Sequence, residues 1–262
     1  MPLISPTLPS NWYTAHLSET DSTMLRLQEP GLATRPEEFV LLTADYQTAG
    51  HGQRGTHWEA DAGQNLLFGI LLHPTGVAPA QQFGLSEALA LAVAEGLDVY
   101  TGGICVKWPN DIYWHDRKIC GMLLEHKLQG PRIDTTLTGV GLNVNQRCFR
   151  GEAPNPVSLR QILGHDTDRT GLLEQIARNF ERNYRLLQQG EYARLHRIYL
   201  RRLYRRGGFH WFRDGDGLFE GQITDVSPVG RISISRHSGE LRSYAFKEVA
   251  FVINSSSIHD EA

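Results

Sequence analysis

Three stretches of the 262-residue chain bring together residue types that do chemistry. The first is ADYQTAGHGQRGTHWEADAGQN over 44–65. An apolar run delivers Gln47 into a loop with Gly50, Gly52 and Gly55, crowded by His51, Arg54 and His57 and closed by Trp58. Glycines let a backbone pass within hydrogen-bonding distance of a ligand and turn its N–H groups toward it. The cations match an anion, and the indole supplies a flat apolar face. The spacing is neither a Walker loop, which ends in Gly-Lys-Ser/Thr, nor a dinucleotide fingerprint opening a helix. Taken alone, it is also what an ordinary surface loop looks like.

The second stretch is VKWPNDIYWHDRKICGMLLE over 106–125. Trp108–Pro109–Asn110–Asp111 reads as a rigid strand end presenting an amide and a carboxylate, and Lys118 opens the next strand. The chain has four lysines against 22 arginines, and two of the four, Lys107 and Lys118, lie here. A point-charge amine suits a ligand carboxylate or phosphate differently from a guanidinium clamp. An exposed strand lysine is the plainer alternative. The third stretch, GVGLNVN over 139–145, puts Gly139, Gly141, Asn143 and Asn145 on one strand face by period two. Two glycines and two amides pack poorly, so something else is expected against that face, unless it is a strand edge with a turn.

An alternation of strands and helices must position these groups. Strands are expected over 11–17, 39–46, 65–73, 104–108, 119–126 and 133–144, the last two joined by a Gly130–Pro131 turn. Ser22 stands where an N-cap would precede a short helix over 23–28, ended by Pro30–Gly31. Phe83, Leu85, Ala88, Leu89, Ala92 and Val93 recur at helical spacing within 80–99, the pattern of a core helix. Two more helices follow, over 171–189 and 192–205. Beyond Gly207–Gly208, four short segments (217–225, 230–236, 240–246, 249–253) read as a small antiparallel barrel or sandwich. The expected architecture is α+β followed by a small all-β domain, with a disordered tail over 255–262.

Composition narrows the class. With 40% apolar and 21% charged residues the chain can bury a sizeable core. Its longest apolar run, 85–99, is broken by Ser86, Glu87, Glu95 and Gly96, short of the ~20 residues of a membrane span. The N-terminal MPLISPTLPSNW lacks a basic flank, so a cytoplasmic protein without a secretory leader or membrane partner is expected. Cys105, Cys120 and Cys148 show no paired-ligand spacing, so neither a disulfide frame nor a structural metal is expected. Net charge is −3, yet eight arginines and one acid, Glu191, fall between Arg182 and Arg206. Nucleic acid, an acidic partner or a phosphate would suit that segment. A solvated helix face beside acidic neighbours is the plainer reading.

Taken together, QTAGxGxRGxxW, KWPNDxxxxxxKxxGxLxE and GxGxNxN, in this order and spacing, resemble a biotin protein ligase. The resemblance implies a mixed-sheet catalytic domain of the biotin/lipoate ligase type within 1–206 and a small Src-homology-like β-barrel within 207–254. It implies biotin, ATP and Mg²⁺ as small molecules and a biotin carboxyl carrier domain as acceptor, with monomer and homodimer both open. Biotin would attack the α-phosphate of MgATP to give biotinyl-5′-AMP and pyrophosphate, and an acceptor lysine would then take the acyl group.

Carried over by motif, Lys118 would bridge the biotin carboxyl and the α-phosphate. Arg54, Gly50, His51, Gly52 and Gln53 would cover carboxylate and phosphates, while Ser22, Thr23 and Gln47 would bind the ureido ring. Gly121, Gly139 and Gly141 would let backbone approach ligand. Trp58, Asn110 and Asn143 would lie on the nucleotide side, and Asp111 would place Mg²⁺ or the attacking amine. The loop over 48–57 is expected to be mobile when empty and to order over the adenylate, since water hydrolyses an acyl-adenylate.

Two departures stand out. The family's commonest loop reads GRGRRG, whereas this chain reads GHGQRG. His51 and Gln53 replace arginines, so weaker nucleotide affinity and adenylate retention are expected. About ten residues precede the first expected strand, which leaves no room for the DNA-reading module some members carry, so no DNA partner is expected. The alternatives are a lipoate or octanoate ligase or transferase of the same fold, and a non-catalytic biotin sensor.

Overall fold

A computed structural model of the chain describes residues 6–50, 52, 58–151, 153 and 155–253. His51, Gln53, Arg54, most of the 48–57 loop and the 255–262 tail therefore lie outside the described residues. In chain order the elements are β1 (Trp12–Thr20), α1 (Thr23–Arg26), α2 (Pro30–Ala33), β2 (Phe39–Gln47), β3 (Leu66–Leu72), α3 (Phe83–Leu97), β4 (Ile104–Lys107), β5 (Asp111–Trp114), β6 (Arg117–Gln129) and β7 (Arg132–Leu142). They continue with α4 (Leu159–Leu163), α5 (Arg169–Gln188), α6 (Tyr192–Arg202), β8 (His210–Asp214), β9 (Gly217–Val226), β10 (Ile232–Arg236), β11 (Leu241–Tyr244) and β12 (Ala250–Phe251).

Seven strands form one sheet in the order β1-β2-β3-β7-β6-β5-β4. Only β1 and β2 run parallel, so the sheet is mixed. The interior strand β3, LLFGILL, is buried at every position, which is why its sequence is a continuous apolar run rather than an alternation. One face packs against α3, α5 and α6. Helix α3 is apolar nearly all round and correspondingly buried on all sides between sheet and outer helices. The other face carries a smaller cluster in which Met24 and Leu27 of the α1 region meet Val40, Leu42, Leu71 and Leu137. That cluster seats α1 at the sheet's centre, beside the site.

Helix α5 begins where Asp168 accepts hydrogen bonds from the Thr170 and Gly171 N–H groups. Such a cap contributes about 1 kcal/mol. Glu181 on α5 accepts from Asn11 Nδ2 (2.8 Å) and Trp12 Nε1 (2.9 Å), tying the helix to the edge strand β1. The arginine-rich segment resolves into ion pairs: Arg182 with Glu95, Arg185 with Glu38 and Glu181, Arg194 with Glu191, and Arg202 with Asp98. Acids from other elements thus offset much of its charge, as in the plainer reading.

The C-terminal strands form a five-stranded sheet, β11-β10-β9-β8-β12: a meander whose last strand returns to pair with its first. Phe212, Ile223, Val226, Ile232 and Ile234 fill its interior. Four elements go beyond the sequence reading. Helix α2 starts at Pro30, which the sequence reading took as an ending, because proline suits the first turn of a helix. Strand β5 turns the expected strand end at Asn110–Asp111 into a tight hairpin with β4. Strand β8 opens the second sheet, and α4 is announced by a capping box in which Ser158 accepts from Gln161 N–H and the Gln161 side chain accepts from Ser158 N–H. The cysteines are free; burial pushes Cys105 up to about 11 and raises Cys120 too, so neither is a ready thiolate. Among the described residues no helix is long and apolar enough to cross a membrane.

Candidate active site

Adjacent strands of the large sheet place glycines side by side. Gly121 on β6 pairs directly with Gly141 on β7, and Gly139 pairs with Gly69 on β3. The missing side chains leave a shallow floor, and two residues rest on it. A Cβ at Gly121 would stand 2.9 Å from the Trp58 indole, and one at Gly141 would overlap that ring. A Cβ at Gly139 would come within 2.6 Å of Met24 Sδ. The face expected to lie open to a ligand's backbone approach is therefore occupied by Trp58 and Met24, and the glycines' immediate role is to seat those two side chains. Trp58 Nε1 is buried and has no hydrogen-bond partner among the described residues.

A cleft of about 840 Å³ opens over this floor. Its lining includes Ser22, Thr23, Gln47, Gly52, Trp58, Asn110, Asp111, Lys118, Gly121, Gly139, Gly141 and Asn143, so three separate sequence stretches converge on one site. Gly50 lies just outside, buried against Gln47, its carbonyl accepting from Trp58 N–H at 3.0 Å.

At one end, the last residue of β2 meets the start of α1. Gln47 Oε1 accepts from both Thr23 N–H (2.7 Å) and Thr23 Oγ1 (3.1 Å). Ser22 is the N-cap residue, but its hydroxyl makes no capping bond. Asp21 accepts from Ser22 N–H (2.7 Å) instead, and that bond holds its carboxyl below the ordinary range. The Ser22 hydroxyl and the Gln47 amide nitrogen are thus left to face the cleft, as a donor-rich polar end.

The opposite end is built on a β-bulge. Asp111 pairs with Gly121 and Ile112 with Cys120, but Tyr113 pairs with Lys118, so Ile119 is the extra residue. In a regular strand, residues three apart point to opposite faces. The bulge reverses that parity and brings Lys118 over the same floor as Gly121. There Lys118 Nζ lies 2.7 Å from Asp111 Oδ1 and 5.6 Å from the centre of the Trp58 ring. Asn110 donates to the Met122 carbonyl. Asn143 donates to Val157 O (3.1 Å), while its buried Oδ1 has no partner among the described residues. Asn145, the fourth residue of the expected face, serves the fold instead: it donates to Thr167 O and accepts from Thr167 N–H.

The sequence reading did not assign a role to Lys107, Phe246 or Lys247, which also line the cleft. Lys107 is the cross-strand partner of Asp111. Among the described residues it has no ion pair, and its Nζ faces the Tyr113 ring (5.1 Å) and the Phe251 ring (5.2 Å). Burial holds its pKa below the lysine range, with Asp111 opposing the shift. Its place in the KWPND run was the available signal. Phe246 and Lys247 come from the second sheet, and Trp108 links the two: its Nε1 donates to Gly230 O (2.9 Å) and its ring lies edge-on to Phe246 (6.2 Å). The cleft thus has a polar end, a glycine floor under an indole, and a cationic end walled by the C-terminal sheet.

Comparison with known proteins agrees with this geometry. Residues 18–145 match the Biotin/lipoate A/B protein ligase family. A biotin–[acetyl-CoA-carboxylase] ligase of Paracoccus denitrificans is 34% identical over 218 residues, covering 78% of this chain and 88% of that protein. A bifunctional ligase/repressor BirA of Bacillus spizizenii is 34% identical over 153 residues, and the match spans 46% of its length, so the chain accounts for about half of that relative. The structure of biotin protein ligase from Aquifex aeolicus in complex with biotin and ATP superposes with a TM-score of 0.74 at 27% identity, covering 91% of this chain and 98% of that one. The chain belongs to the biotin/lipoate A/B protein ligase family.

Proposed function

We propose that this chain activates biotin with MgATP and transfers it to a lysine of a biotin carboxyl carrier domain. The observation that carries this reading is the cleft's polarity. A donor-rich polar end at Ser22 and Gln47 and a cationic end at Lys107 and Lys118 face each other across an apolar floor. A ureido ring needs polar partners in a dry pocket, because an unpaired buried polar group costs about 1–3 kcal/mol. A carboxylate meeting a triphosphate needs cations that cancel their repulsion.

In this reading, Ser22, Thr23 and Gln47 hold the ureido ring. The Lys118 amine lies between the biotin carboxylate oxygen and the α-phosphate, and neutralises charge as the new O–P bond forms and the bond to pyrophosphate breaks. Lys107 faces the departing phosphates. Asn143 Oδ1, buried with no partner among the described residues, offers an acceptor to the adenine amine, and Asn110 stays close by on the same side. In the second step the acceptor amine attacks the acyl carbon, AMP leaves, and the amine's proton passes to solvent or to a neighbouring carboxylate, of which Asp111 is one. By family resemblance, Arg54, His51, Gln53 and the amides at Gly50 and Gly52 complete the phosphate cover.

Mg²⁺ fits at Asp111. The pair with Lys118 uses Oδ1, which leaves Oδ2, and Mg²⁺ in nucleotide sites takes only one or two carboxylates beside phosphates and water. When bound it would neutralise phosphate charge.

The test is biotin-dependent exchange of labelled pyrophosphate into ATP, with lipoate and octanoate as parallel acids. Exchange with biotin, followed by labelling of a carrier domain, is the expected result. Exchange with lipoate or octanoate instead would move the chain to the sister enzymes. Biotin binding without any exchange would make it a sensor.

A further inference from the structure

One imidazole joins the helices packed on the large sheet to the small sheet. His196 on α6 lies with Nδ1 2.7 Å from Glu87 Oε1 on α3 and Nε2 3.0 Å from Asp225 Oδ1 on β9. Glu87 is completely buried, while Asp225 is more than half exposed. On its own helix the ring stacks against Tyr192 (5.5 Å) and Tyr199 (6.5 Å). The titratable groups facing His196 are thus Glu87 from α3, Asp225 from β9 and the two tyrosines of α6. With both carboxyls ionised, both ring nitrogens donate, and only the imidazolium does that. The Glu87 hydrogen bond is the main cause holding the His196 proton to higher pH than usual, and burial raises Glu87 itself.

Asp225 sits just before the turn at 227–230, which docks at the start of α3 and the end of β4. Phe83 N–H donates to Pro228 O at 3.2 Å, and Trp108 Nε1 donates to Gly230 O. The same small sheet carries Phe246 and Lys247 into the cleft at the Lys107 end. We propose that His196 is a positioning residue: by bridging Glu87 and Asp225 it holds the C-terminal sheet in register, and so sets the wall that closes the cationic end of the cleft. A proton bound more tightly in the docked state than in the undocked one stabilises docking below about pH 6.5, the unperturbed imidazole pKa. That gain is lost as pH rises through the higher docked pKa. Docking therefore loosens on the alkaline side.

Two measurements test this, with His196→Gln and the milder, solvent-facing Asp225→Asn. The first needs no activity. Imidazole NMR should place the His196 pKa above 6.5 in the wild type and lower in Asp225→Asn. Exchange of the Phe83 amide, corrected for intrinsic base catalysis, should speed up between pH 6.5 and 9 in the wild type. In both variants it should be about tenfold faster at pH 6.5, the scale of one charge-assisted hydrogen bond. The second rests on the ligase reading: in biotin-dependent pyrophosphate exchange, both variants should raise the KM for ATP about tenfold and leave that for biotin within roughly twofold. His196→Gln should also flatten the pH dependence of the ATP KM. Wild-type amide protection in both folded variants would overturn the proposal, as would an equal rise in both KM values. A wild type that exchanges no pyrophosphate would sink the ligase reading, and the amide measurement would still decide the bridge.

Discussion

Replacing Lys118 with alanine should separate catalysis from stability. The substitution removes an amine 2.7 Å from Asp111 Oδ1, in a pair whose side chains are 29% and 19% exposed. Such a pair is neither dry nor fully solvated. Two unit charges 4 Å apart attract by about 4 kcal/mol at an effective dielectric of ~20, which bounds what the amine can give a phosphorus centre gaining negative charge. Loss of one electrostatic group of this kind lowers rates by about 10²–10³-fold. The ground-state ion pair itself is worth at most about 1 kcal/mol, because water reaches it. In a chain of this size that moves Tm by roughly 2–4 °C. Pyrophosphate exchange with biotin should therefore fall ~10²-fold or more in a protein that melts nearly as the wild type does. Exchange within about threefold of wild type would refute the role given to Lys118. A large loss of rate matched by a Tm drop well beyond ~4 °C would assign the lysine to the fold instead.

Other substitutions report on the rest of the site. Gly141→Ala drives a methyl into the Trp58 ring from a strand that cannot retreat, so it should cost about 1–3 kcal/mol by overpacking and shift the tryptophan fluorescence; an unchanged spectrum and melt would contradict the seating of Trp58. Gly139→Ala meets only the flexible thioether of Met24 and should cost less, under about 1 kcal/mol, in the same melts. Lys107→Met should weaken ATP binding about tenfold with biotin binding unchanged, as measured by titration calorimetry; equal weakening of both would place Lys107 outside the phosphate end. Glu38 is held below the ordinary carboxyl range chiefly by the Arg185 guanidinium, 2.5 Å from each oxygen, so its contribution is present above about pH 4.3 and lost as pH falls through the lower folded pKa. Glu38→Gln should thus cost about 1 kcal/mol at pH 7, discounted because Arg185 is partly exposed, and the gap should close in acid. A gap that persists at pH 3 in chemical denaturation would contradict the ion-pair origin.

Much of the fold was legible because its core elements are long and strongly patterned. The apolar run of β3, the all-round apolar helix α3 and the glycine-flanked hairpin of β6 and β7 each announce themselves locally. Short pieces did not. Strand β5 has four residues and follows a proline that reads as an ending, and β8 lies in a stretch whose apolar members, Trp211 and Phe212, are flanked by charge. The site was legible as three motifs, and these supply many of the converging residues, though Phe246 and Lys247 come from the second sheet. The contents of the glycine face were not, because period two shows that the face is bare without showing what fills it. Trp58, more than sixty residues upstream in sequence, is brought there by the sheet.

The bulge at Ile119 explains why spacing alone was an incomplete guide even where it was right. Lys118 and Gly121 are three apart, which by strand parity should put the amine on the side opposite the floor. One inserted residue corrects the parity and places Lys118 Nζ beside Asp111, itself directly across from Gly121. The motif's lysine-to-glycine interval is therefore a statement about a bulged strand, and its function depends on that irregularity being held. Holding it falls to the segment around Asn155–Val157: Lys118 N–H donates to Asn155 O at 2.8 Å, and Val157 N–H donates to Lys118 O at 2.9 Å. Asn143 in turn donates to Val157 O, so the same amide that offers its free oxygen to the cleft braces the strand that fixes the lysine. Asn143→Ala should consequently disturb both ends of the reaction centre. The loss in exchange rate should exceed the loss in ATP affinity, whereas a purely nucleotide-binding amide would lower affinity alone.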